Sequence, residues 1–105
     1  MTNVSEDRQT QQRINLYILT MELLEEVDSL PAWFDIEQWD REAATFVVDR
    51  CQLTLDTTEK SIAGLRDSDE LDETTWEAVA FAVETCSECQ RQINFVWTEL
   101  LNGGN

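Results

Sequence analysis

The sequence predicts an all-α protein, an antiparallel up-down-up bundle of three long helices. Three observations lead there. The 105 residues include only three glycines and one proline, too little turn chemistry for a multi-stranded sheet. Hydrophobic residues make up 42% of the chain and aromatics 9%, a composition that supports a core and argues against disorder. Three long apolar-periodic stretches are separated by two short connections. A chain of this length is expected to form one domain, residues 1–105, around a single modest core.

The first helix is expected from about Glu6 to Asp28, with Ser5 as N-cap and Glu6 and Asp7 in the first turn. Its middle is apolar on two sides. Ile14, Tyr17, Met21 and Leu24 form one stripe, and Leu16, Leu19, Leu23 and Val27 form another. A helix apolar this far round is covered on more than one side.

The connection "SLPAWF" carries the proline and leads into Asp35. Asp35 and Gln38 have capping-box spacing, and Phe34 and Trp39 have the spacing of a hydrophobic staple, so the second helix is expected to start at Ile36. Its inward face reads Trp39, Ala43, Phe46, Val47, Cys51, Leu55, Ile62 and Leu65. The string "LDTTE" at 55–59 offers capping residues for a restart. One continuous helix to about Leu65 is the favoured reading, with a kink or split near Asp56 as the alternative. After the polar connection "RDSDELDETT", the third helix is expected from Asp72 or Thr74 to about Leu101. Its stripe is Trp76, Val79, Val83, Cys86, Gln90, Ile93, Trp97 and Leu100 or Leu101, with Gly103 and Gly104 ending it.

The net charge is −15, about twice the upper end of the roughly 2 to 8 that suits a small soluble domain. Two blocks carry it. Glu22 to Asp40 holds seven acids and no base, and Asp67 to Glu88 holds eight acids and no base. Lys60 is the only lysine, against six arginines and 22 acids. This balance is expected of a protein adapted to a salt-saturated cytoplasm. The alternative is an acidic decoy that imitates nucleic acid, or an immunity-type inhibitor covering a basic protein. In molar salt the Debye length is only about 3 Å, which removes most of a decoy's long-range steering. The clustering favours the decoy, although acids at helix N-termini are stabilised there by the macrodipole. Glu22 to Asp28, at a helix C-terminal end, lack that explanation.

"VETCSECQRQI" places Cys86 and Cys89 in a C-x-x-C pattern, and folding the second helix against the third brings Cys51 to their level. Three readings stay open: packing thiols, a disulfide from Cys51 to one of the pair, or a metal site. Packing is favoured. The pattern is mid-helix, away from the dipole that activates redox thiols, and the chain has no histidine to complete a zinc site. No catalytic residue, cofactor or metal is expected. With no histidine, one lysine and one tyrosine, and no Gly-rich phosphate loop or nucleophile elbow, an enzyme is not expected. Nor is direct nucleic-acid binding, for want of a basic patch. The longest apolar-rich run, 14–24, falls short of the roughly 20 residues that span a bilayer. The first residues carry acids and no apolar run, so a cytoplasmic protein without membrane association is expected.

Surplus apolar surface is the most informative feature. Phe81 and Phe95 lie off the core stripe of the third helix on an otherwise polar face. The stripe with Leu16, Leu19 and Leu23 supplies a second such surface, and Trp33 and Phe34 extend it. These residues point to a non-enzymatic interaction or assembly protein, a homo-oligomer or the subunit of a partner complex. For the decoy alternative, the contact residues are Asp67, Asp69, Glu70, Asp72 and Glu73.

Overall fold

The computed structural model describes residues 4–30, 41–67 and 70–102, with side chains over 8–30, 42–67 and 70–99. Helix α1 spans Val4–Asp28, α2 Arg41–Arg66 and α3 Glu73–Phe95. A π-helical segment, Val96–Asn102, continues α3. The three helices pack against one another as a bundle, about 60 Å long and under 20 Å in each other direction. Gln9 of α1 reaches Glu70 and Asp72 just before α3, so α1 and α3 run in parallel with α2 antiparallel between them.

The core follows one spacing rule in all three helices. Buried positions alternate in steps of four and three: Leu16, Thr20, Leu23, Val27 and Leu30; Ala44, Val48, Cys51, Leu55, Thr58, Ile62 and Leu65; Thr75, Val79, Ala82, Cys86, Cys89, Ile93 and Val96. A repeat of 3.5 residues keeps a narrow seam facing its neighbours along the whole helix. Threonine is admitted because its hydroxyl is satisfied locally. Thr20 donates to the Leu16 carbonyl at 2.7 Å and Thr58 to that of Thr54 at 2.8 Å.

α2 is continuous through Asp56 to Arg66, the unbroken helix favoured above. The "LDTTE" string does not restart it, since Gln52 donates to the Asp56 carboxylate at 2.9 Å and Thr57 and Thr58 donate to carbonyls one turn back. α3 is capped by Asp72, whose carboxylate accepts from the Thr75 amide at 2.7 Å. That bond, helped by Arg13, holds the carboxyl below its usual range. α1 begins one residue ahead of Ser5, so the helix includes Ser5 and the expected cap there is corrected. The expected start at Ile36, its capping box and staple, and Gly103 and Gly104 all lie outside the described residues.

Two inward assignments are also corrected. Phe46 is 68% exposed and Trp76 is 50% exposed, while Ala44, Val48, Ala82 and Cys89 occupy the seams instead. Small residues let the helix axes approach closely, and a large ring at the seam would force them apart. On α1 the Leu16, Leu23 and Val27 stripe is the core itself.

Candidate interaction surface

Which face of each helix meets which neighbour is fixed by a few polar contacts. Gln52 of α2 and Gln90 of α3 exchange two amide hydrogen bonds of 2.9 and 3.0 Å, extended by Asp56 at one end and Asn94 at the other. The Gln90 flank of α3 therefore faces α2, and its opposite flank adjoins α1. Arg50 of α2 lies 3.5 Å from Glu26 of α1, which sets the α2 flank of α1. Arg13, on the other flank of α1, donates to the Thr75 hydroxyl at 3.3 Å and lies 3.7 Å from Asp72.

With the core on the Leu16 and Leu23 side, the opposite side of α1 is left facing outward. It carries Ile14, Tyr17, Ile18 and Met21, all large, apolar and exposed, the last two at 51%. The spacing i, i+3, i+4, i+7 places them on one stripe, roughly 140° around the helix from the core seam at about 100° per residue. Phe81 joins this surface. The Arg13–Thr75 bond sets an offset of 62 residues between α1 and α3, which puts Phe81 level with position 19, on the α3 flank next to α1. It is 42% exposed.

The expected contact residues divide accordingly. Leu16 and Leu23, at 1% and 0% exposure, are interior and cannot meet a partner, and Leu19 is half-buried. The outward face belongs to the other stripe, about half a turn round the helix from the one expected to be exposed. Phe81 and Phe95 are both exposed as expected. The register separates them, because Phe95 lies beyond the level at which α1 ends. Trp33 and Phe34 fall outside the described residues.

Of the acidic set, Asp67, Glu70 and Glu73 are exposed and Asp69 lies outside the described residues. Asp72 is occupied as the α3 cap. Sequence reasoning passed over Ile18, and with it the completed outward stripe. The signal was present in the charge pattern: Arg8 to Met21 is the longest run without an acid in the chain, and the exposed stripe falls within it.

The three cysteines are free and buried. Burial above all pushes each thiol up to about 11, with further contributions from Glu26 and Cys89 on Cys51, from Glu59 and Cys89 on Cys86, and from Asp28 and Glu88 on Cys89. Protonated at neutral pH and enclosed, they act as small hydrophobic packing groups. Among the described residues, no group of three or more His, Cys, Asp or Glu side chains could hold a metal ion. An open groove of about 460 Å³ runs between α2 and α3, lined by Glu59, Ile62, Arg66, Val83, Cys86 and Gln90 among others. Among the described residues, no helix is long and apolar enough to cross a membrane.

The chain matches no known protein family, and no curated protein or solved structure is detectably similar to it.

Proposed function

We propose that the protein is a non-enzymatic interaction or assembly subunit of salt-adapted type, working in the cytoplasm and docking through the outward face of α1. One observation carries this reading: Ile14, Tyr17, Ile18 and Met21 stand exposed outside a seam that is already filled from the other face of the same helix. Soluble chains rarely leave such a contiguous apolar stripe to water unless something covers it. The acid-free run from Arg8 to Met21 fits the same reading, because hydrated carboxylates around a contact would have to be stripped of water on docking. Against catalysis stand the lack of histidine and thiols held protonated at neutral pH.

The test compares the wild type with an Ile18→Glu, Met21→Glu variant as immobilised bait in molar salt. Both should be equally helical, and proteins retained by the wild type, copies of this chain included, should be lost by the variant. A variant that unfolds would place this face in the core; a wild type that retains nothing would leave the face without a role. Either result sinks the reading. A salt titration of folding checks the adaptation: with a charge of −15, self-repulsion should weaken the fold in dilute buffer.

The decoy reading is favoured by a different observation. Exposed Glu22, Glu25 and Asp28 sit towards one end of the bundle and Asp67, Glu70 and Glu73 at the other, along a rod of about 60 Å. Charge reversal at Glu70 and Glu73 would abolish binding to a basic partner under this reading, and unchanged binding would dismiss it.

A further inference from the structure

We draw no further inference here: the strongest candidate, the exposed apolar stripe of Ile14, Tyr17, Ile18 and Met21 on the outward face of α1, carries none beyond the docking role proposed above, because nothing in the structure shows what covers it.

Discussion

α1 offers two apolar faces, and comparing one residue from each tests which belongs to the core. Leu23 is 0% exposed and Met21, two positions earlier, is 51% exposed. Leu23→Ala removes a fully enclosed side chain between helices whose seams are filled, so it should cost about 2–5 kcal/mol. Met21→Ala shortens a side chain that is half in water, with an expected cost of about 0.5 kcal/mol. A domain of this size has about 5–15 kcal/mol in total, so the first change removes a large share of its stability and the second almost none. On the melting temperature the difference should be roughly 10 to 30 °C. The assay is urea unfolding followed by circular dichroism in molar salt, at low protein concentration so that self-association does not contribute. Equal losses, or a larger loss at Met21, would mean that α1 is turned the other way and that the outward face argued above is the interior.

Three further outcomes follow from the packing. Gln52→Ala and Gln90→Ala should each cost about 1 kcal/mol, and a double-mutant cycle should return a coupling of similar size, because each amide bonds the other; a coupling near zero would show that the pair is not formed in solution. Gly64→Ala should stabilise by about 0.5–1 kcal/mol, since nothing lies within 4 Å of the added methyl and the residue is inside a helix, and a loss in the same urea assay would contradict that open space. The thiols predict an alkaline limit. Their folded value of about 11 lies above the ordinary 9, so unfolded chains release protons first and stability is complete below pH 9 and lost towards pH 11. The slope should reach about 1.4 kcal/mol per thiol per pH unit, and Cys89→Ala should reduce it. An unchanged slope would mean that the thiol is not enclosed.

The parts of the fold that were legible in the sequence are those where large apolar residues and the seam coincide. Cys51, Leu55, Ile62 and Leu65 were read correctly on α2, as were Val79, Cys86 and Ile93 on α3. Reading failed where the seam is built from small or hydroxylated residues. Thr20 and Thr58 look like surface by hydropathy and Ala44 and Ala82 are too small to stand out, yet all four are buried, because close helix approach favours small residues and a hydrogen bond to the preceding turn satisfies the hydroxyls. Phe46 and Trp76 attracted the inward assignment by size alone and lie outside. For the candidate site, the surplus of apolar residues on α1 was visible but its direction was not. The two stripes share the same four-and-three spacing and similar hydrophobicity, so the pattern alone does not choose between them. They differ at the C-terminal end, where the buried Leu16, Thr20, Leu23 and Val27 face continues to Leu30 and the outward one runs into exposed Asp28.

The clamp made by Gln9 has a consequence for the order in which the molecule assembles. Its amide donates to the Glu70 carbonyl at 2.8 Å and its carbonyl accepts from the Asp72 amide at 2.9 Å, from more than sixty positions away along the chain. The link between α2 and α3 is thus tied down by a helix that precedes both. Contacts so distant in sequence form late, after the chain between them has condensed. The α2–α3 hairpin is therefore expected to close first through its Gln52–Gln90 pair, leaving its tip unfastened until α1 docks. A Gln9→Ala chain should fold at nearly the wild-type rate and unfold faster, with the tip the first place to open.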